Sequence, residues 1–197
     1  MKLSGGIGTL GSLLTLTGVH AGGKIAGELR KLTQLRRLGV MDVAEENADE
    51  LYASIMVMQG LLSLSLEAKH TFDEGHLVLR DSFSPPSILR KLRLEGLLEN
   101  TKLAWFNGKY SYKAEARQLG KDFCKAGGFP KLEVLIIASR VLEEWTELEE
   151  GALPRLKYLH FHSCLNLMNL RMLPEGLQVT TVEELVCCLC LMSMNKD

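Results

Sequence analysis

This chain is constrained most by a leucine spacing that changes period within one short unit. Leucine occupies 38 of the 197 positions, and the anchors recur as L-x-x-L-x-x-L-x-L. Three-residue steps are typical of a turn or helical segment, whereas the closing two-residue step is typical of a short strand. A single unit cannot bury its own leucines, so stacked copies with parallel strands are needed to close a continuous core.

The copies can be followed by the penultimate anchor of each one. The steps between successive anchors are 22, 26, 28, 43, 24 and 26 residues, mostly within or near the period of leucine-rich repeats. The step of 43 is too long for one copy and too short for two. An amphipathic helical protein is the alternative, but alternation at Leu64/Leu66 and Leu92/Leu94 argues against it. These anchors are Leu16, Leu38, Leu64, Leu92, Leu135, Leu159 and Leu185.

The pattern predicts an α/β fold, a leucine-rich-repeat solenoid or horseshoe with a parallel concave sheet. We expect about six to seven repeats in a single domain over residues 1–197, irregular around residues 101–128. The fifth complete copy adds Cys164 at the Asn-or-Cys position of the repeat, which predicts a structural role under the turn after the strand. A run of glutamates around Trp145 predicts a solvated face.

The composition limits the classes of partner and the cellular compartment that the sequence favours. The formal charge is −1 and the pI about 6.5, so no global field favours nucleic acid or an anionic membrane. An odd set of five cysteines, and the lack of an Asn-x-Ser/Thr acceptor, favour a cytoplasmic protein. Secretion is the alternative, because Met1–Lys2 and the apolar stretch 7–19 resemble a signal peptide. No apolar run is long enough to span a membrane.

Two motifs suggest chemistry but are incomplete. Residues 18–24 fit the phosphate-binding pattern G-x-x-x-x-G-K, yet Ile25 stands where a Ser or Thr hydroxyl would bind Mg²⁺. His160, His162 and Cys164 alternate as strand ligands of zinc could, but a fourth ligand is missing nearby. We therefore expect no enzyme, no cofactor and no metal, with a small P-loop nucleotidase as the enzymatic alternative. The role of the tail thiols Cys187, Cys188 and Cys190 stays open.

Several longer sequence motifs resemble those of a known family. The chain resembles the leucine-rich-repeat region of plant intracellular disease-resistance proteins of the coiled-coil, nucleotide-binding, leucine-rich-repeat type, especially those of cereals. The resemblance covers nearly the whole chain, and we expect a truncated repeat domain without the coiled coil and the nucleotide-binding domain of the family. The motifs that carry the resemblance are Gly18–Gly23, Ile25–Val40 with its Thr-Gln-Leu-Arg-Arg-Leu, Phe129–Leu135, and the Pro-Glu-Gly-Leu of 174–177.

The resemblance implies a function in plant defence by protein recognition. In that family the repeats sense pathogen effectors, directly or through a guarded host protein, and hold the nucleotide-binding domain inactive. Those three kinds of protein are therefore the expected partners. The alternatives are a generic leucine-rich-repeat scaffold or regulatory protein, and a receptor fragment without a function of its own, because residues 101–128 hold no clean repeat.

The repeat register also predicts where a partner would bind. Residues between and beside the strand leucines point to the concave face, the surface with which solenoids bind. This places cationic, apolar and aromatic side chains in one strip, and Tyr and Arg are enriched at interface hot spots. The alternative is that the irregular segment covers Val134 and Ile136. The predicted binding residues are Arg37, Lys91, Arg93, Val134, Ile136, Tyr158, His160 and His162.

Overall fold

A computed structural model describes residues 6–22, 24–69, 76–78, 83, 85–99, 117–120, 124, 126–170 and 185–187. Within these ranges a 3-10 turn covers Ile7–Thr9, and two helices, α1 and α2, cover Ile25–Leu29 and Glu45–Met56. The strands are β1 Thr15–His20, β2 Arg37–Val43, β3 Ser63–Ala68, β4 His76–Val78, β5 Lys91–Glu95, β6 Leu97–Glu99, β7 Gln118–Leu119, β8 Val134–Ala138, β9 Glu144–Trp145, β10 Tyr158–His162, β11 Asn169–Leu170 and β12 Leu185–Cys187.

The main sheet joins seven of the described strands in the order β1-β2-β3-β5-β8-β10-β12, and every neighbouring pair is parallel. The repeat anchors meet one another directly across it. Leu16 pairs with Leu38, and the pairing continues through Leu64, Leu92, Leu135 and Leu159 to Leu185. The leucine spacing therefore predicts the register of the whole sheet, because each anchor needs the anchors of its neighbours to be buried.

One hydrogen-bond pattern recurs where the main strands begin. The carbonyl oxygen of Leu14 accepts bonds from the N–H groups of Arg36 at 2.8 Å and Arg37 at 3.1 Å. The equivalent carbonyl in each following unit accepts the same pair of bonds from the next unit; these acceptors are Arg36, Leu62, Arg90 and Glu133. Such repetition locks adjacent units at a constant offset and satisfies backbone groups that would otherwise be buried without partners.

Helices lie opposite the sheet in the first two units. Helix α2 begins with Glu45 and Glu46, whose charges suit the positive end of a helix, and the Ala44 N–H donates to the Asn47 side chain at 3.1 Å. Ser54 joins the two helices, because its buried hydroxyl lies 2.7 Å from the Ala26 carbonyl and 2.9 Å from that of Glu50.

Extended segments replace helices on that side in the later units. β7, β9 and β11 form a second parallel sheet, and β4 pairs with β6. Trp145 on β9 is fully buried and meets the Phe161 ring edge-on at a centroid distance of 5.4 Å. The predicted solvated face around Trp145 is thus wrong at the tryptophan itself, since the glutamates flank a core residue.

The 43-residue step between Leu92 and Leu135 corresponds to a single step from one strand to the next in the main sheet. β5 pairs directly with β8, with Leu92 opposite Leu135, and no strand lies between them. Most of the predicted irregular segment 101–128 lies outside the described residues. The fold as a whole is α/β with a parallel sheet and few helices, which is compatible with a leucine-rich-repeat fold.

Candidate protein-binding face

The surface of the main sheet opposite the buried leucines is called the open face. It carries the first, third and fifth residues of the central strands, while the second and fourth are buried, as in β3, where Leu64 and Leu66 are fully buried and Ser63, Ser65 and Glu67 are partly exposed. The parallel register aligns these residues in rows. The first row runs Thr15, Arg37, Ser63, Lys91, Val134 and Tyr158, and the second continues from Gly39 through Ser65, Arg93 and Ile136 to His160.

Two predicted cations of the open face carry free charge. Arg37 and Lys91 are both exposed, and neither forms an ion pair within the part of the chain that the structure describes. They lie two strands apart in the first row, separated by Ser63, a separation of roughly 10 Å at ordinary strand spacing. A partner can therefore gain two charge-assisted hydrogen bonds there without breaking existing ones.

Arg93 differs from the other cations because a neighbour already neutralises it. Its Nη2 and Nε atoms donate to one Glu95 oxygen at 2.6 and 3.1 Å, and both side chains are largely buried. Strand alternation places Glu95 on the same face as Arg93, because the two residues are two apart on one strand, but their pairing was not predicted. The second row therefore presents an ion pair at a position where a free cation was predicted.

Apolar and aromatic side chains continue the face beyond β5. Val134 lies opposite Lys91, and Ile136 lies opposite Arg93, as the repeat register predicts, and both are half-buried. Tyr158 and His160 on β10 stack with their ring centroids 6.3 Å apart, while His162 is exposed. All eight predicted binding residues are thus brought onto the open face of four strands, β2, β5, β8 and β10.

Cys164 does not share the open face with His160 and His162, the two histidines of the incomplete zinc pattern. It is buried, and its thiol lies 3.7 Å from the Ile137 carbonyl of the preceding unit and 3.4 Å from that of His162. This environment agrees with the structural role predicted for it. Among the described residues, no three His, Cys, Asp or Glu side chains are grouped as metal ligands would be.

The glycine-bearing motif of residues 18–24 joins β1 to α1. Gly18 adopts a φ of 69° at a bulge in β1, and Lys24 precedes a helix of only five residues. The His20 Nδ1 atom is paired with the Asp42 carboxylate of the next strand. Gly23 lies outside the described residues, as do the side chains of the tail cysteines. Within the described residues, no helix has the length and apolar character needed to cross a membrane.

Comparison with known proteins gives a partial relationship. Over 64 residues the chain is 47% identical to disease resistance RPP8-like protein 3 and 44% identical to probable disease resistance RPP8-like protein 4, both of Arabidopsis thaliana. The match covers 32% of this chain and only 7% of either relative. No family profile and no solved structure matches the chain. The chain is thus related over that segment to plant disease resistance proteins, and neither relative's name describes an enzyme activity.

Proposed function

We propose that this chain is a leucine-rich-repeat recognition module of a plant immune receptor, which binds another protein through the open face and performs no covalent chemistry. Its units stack as a solenoid in one domain, and the protein acts in the cytoplasm. The partner is a pathogen effector, a guarded host protein or the nucleotide-binding domain of a receptor, as the resemblance implies.

The observation that carries this proposal is the juxtaposition in the first row of the open face. The free cation of Lys91 adjoins half-buried Val134, and Val134 adjoins the ring of Tyr158, in consecutive strands. A second free cation, Arg37, lies in the same row two strands before Lys91. Interfaces of high affinity combine a central apolar or aromatic anchor with a polar rim that excludes water. A rigid parallel sheet holds such residues at fixed spacing, which lowers the entropy lost when a partner binds.

The test uses purified chain and candidate partners of the three kinds named. A triple variant, Lys91→Ala, Ile136→Ala and Tyr158→Ala, removes the charge and the anchors while leaving the buried leucines intact. We expect the dissociation constant, measured by isothermal titration calorimetry, to rise at least about tenfold, because single hot-spot residues contribute 1–2 kcal/mol or more.

A matched control changes exposed residues away from the open face. Lys31→Ala and Arg155→Ala remove charged side chains in turns, so affinity should stay within about twofold of the unmodified chain. Equal loss of affinity in both sets, with both variants folded, would exclude the open face as the binding surface. Full retention of affinity by the triple variant would favour the alternative of a scaffold that binds elsewhere.

A further inference from the structure

The charges of the open face are segregated along the strand direction. In β2, β3 and β5 the first row holds the cations Arg37 and Lys91, whereas the row formed by the fifth strand residues holds the acids Glu67 and Glu95. The two rows are four residues apart on each strand, or about 13 Å. A partner's carboxylates are therefore attracted to the first row and repelled from the acidic row, which fixes where an acidic segment crosses these strands.

Further cations lie immediately before the first row. Arg36 and Arg90 are both exposed. The Arg36 guanidinium donates to the Gly60 carbonyl at 3.1 Å, a neutral acceptor that leaves the positive charge in place. Glu133 lies 3.6 Å from Arg90 and 3.2 Å from Lys157, so one carboxylate is shared by two cations. This border of the first row therefore keeps a net positive charge and adds to the attraction for acids.

The same row becomes uncharged in the next two strands. Val134 and Tyr158 follow Lys91 on β8 and β10, and Ile136 and His160 lie beside them in the second row. From β2 to β10 the first row crosses five strands, a length of about 19 Å. A segment that runs along it meets two cations first and then an aliphatic and an aromatic side chain.

We propose that the open face binds an amphipathic α-helix of the partner protein, which crosses the strands along the first row. Two carboxylates of this helix face Arg37 and Lys91. Two apolar side chains further along the same helix face contact Val134 and Tyr158. This inference rests on the proposed function of the open face, and it names the chemistry and the conformation of the partner segment.

The strand spacing selects a helix over other conformations. Arg37 and Lys91 are two strands or about 10 Å apart, and helix residues seven apart lie on one face at about 10.5 Å. Residues three or four apart then fall on the intervening strands. In an extended segment the residues of one face recur at about 6.7 Å, which matches neither one strand spacing nor two. A polyproline II segment repeats at about 9 Å, but it offers one residue for every two strands and leaves Val134 uncovered.

Small side chains between the cations leave room for the helix backbone. Ser63 separates Arg37 from Lys91 in the first row, and Gly39 and Ser65 lie beside it in the second row. An α-helix with its side chains is about 10–12 Å wide, so it extends over both rows at this point. Longer side chains here would hold it away from the sheet.

Two synthetic peptides test the helix and its spacing. The first carries Glu at positions i and i+7 and Leu at i+10 and i+14, all on one helix face, with Ala and Gln elsewhere. The second has the same composition, but both Glu residues are moved by two positions and lie on the opposite face. Circular dichroism confirms equal helicity, and fluorescence anisotropy measures binding to the full chain. We expect the first peptide to bind at least about fivefold more tightly.

A charge exchange assigns the second carboxylate to Lys91. Lys91→Glu should weaken binding of the first peptide by about tenfold, and a peptide with Lys instead of Glu at i+7 should regain most of that affinity for this variant. Lys131→Glu makes the same change of charge in an exposed turn away from the open face. It should alter the affinity by less than about twofold.

Several outcomes would overturn the proposal. They are equal affinity for the two helical peptides, no binding of either up to about 1 mM, and no recovery in the exchanged pair. Tighter binding of a polyproline peptide with Glu at i and i+3 would exclude a helix. Displacement of the first peptide by millimolar inorganic phosphate would show that a single anion binds between the cations at Ser63. These results leave the proposed function intact, because the triple variant's affinity for the natural partner decides that.

Discussion

The N-terminal units, residues 6–69, and the C-terminal units, residues 126–170, share one sheet but differ on its far side. Both present parallel strands with leucine anchors in register. The N-terminal units place helices α1 and α2 opposite the sheet, whereas the C-terminal units place the short strands β9 and β11 there. The anchors thus determine the sheet, and the residues between anchors determine what covers it.

The cause of the difference lies in the spacers. The α2 segment is rich in helix formers, with an acidic first turn and buried positions at Leu51, Tyr52 and Ile55. The spacer that holds β9, residues 139–157, is as long as the α2 spacer, residues 44–62, but it carries Leu142, Trp145 and Leu148 at three-residue spacing, and all three side chains are buried. We expect the two halves to respond differently to substitutions, pH and denaturant.

The largest effect should come from Trp145→Ala. Removing a fully buried indole that packs on Phe161 leaves a large cavity and should cost about 3–5 kcal/mol of unfolding free energy. Because repeat units interact mainly with their neighbours, hydrogen exchange should lose protection in β8 and β10 while β2 and β3 keep theirs. Uniform loss of protection would show instead that the chain unfolds as one cooperative unit.

Alkaline pH should weaken the C-terminal part through Cys124. Burial raises the pKa of this thiol from 9.0 to about 12, so the folded state holds its proton where the unfolded state releases it. The stabilisation is complete below pH 9 and is lost as pH rises toward 12, by at most about 1.4 kcal/mol per pH unit.

The matched variant for that effect is Cys124→Ala. The urea midpoint should fall further between pH 8 and pH 10.5 in the unmodified chain than in the variant, since the other titrating groups contribute equally to both. Parallel pH profiles would mean that the thiol ionises normally in the folded protein.

Two buried serines offer a smaller comparison between the halves. The Ser54 hydroxyl bonds to backbone carbonyls and joins α1 to α2, whereas the Ser139 hydroxyl is buried without a hydrogen-bond partner among the described residues. Ser54→Ala should therefore cost about 1–2 kcal/mol, and Ser139→Ala should be neutral or stabilising by up to about 1 kcal/mol. Urea unfolding of both variants measures this, and equal losses would contradict the assigned hydrogen bonds.

The sequence predicted the sheet more completely than the outer side. Leu92 and Leu135 were aligned correctly across a 43-residue step, because burial leaves an anchor little freedom of register. The same spacing could not show that this step makes one unit, since spacer length does not specify how many strands it contributes. The burial of Trp145 was missed because surrounding glutamates dominate the local pattern.

The candidate site was predictable in placement but less so in charge. The rows of the open face follow from strand alternation alone. The repeat therefore predicts that Lys91 and Tyr158 are the cross-strand neighbours of Val134. The pairing of Arg93 with Glu95 depends on side-chain conformation. Opposite charges two residues apart on one strand were the available signal for it.

The smallest expected effect tests how the N-terminal edge is held. The Glu28 carboxylate accepts hydrogen bonds from the N–H groups of Gly6 at 2.8 Å and Gly8 at 3.1 Å, which lowers its pKa below the usual 4.5. This stabilisation is present above pH 4.5 and is lost as pH falls through the lowered pKa. Glu28→Gln should thus lower the melting temperature at pH 7 by less than Ser54→Ala does. The difference in melting temperature between Glu28→Gln and the unmodified chain should narrow as the pH falls below 4.5, because the protonated carboxyl resembles the amide. A difference that stays constant as the pH falls below 4.5 would indicate that side-chain packing, not charge, holds the 3-10 turn against α1.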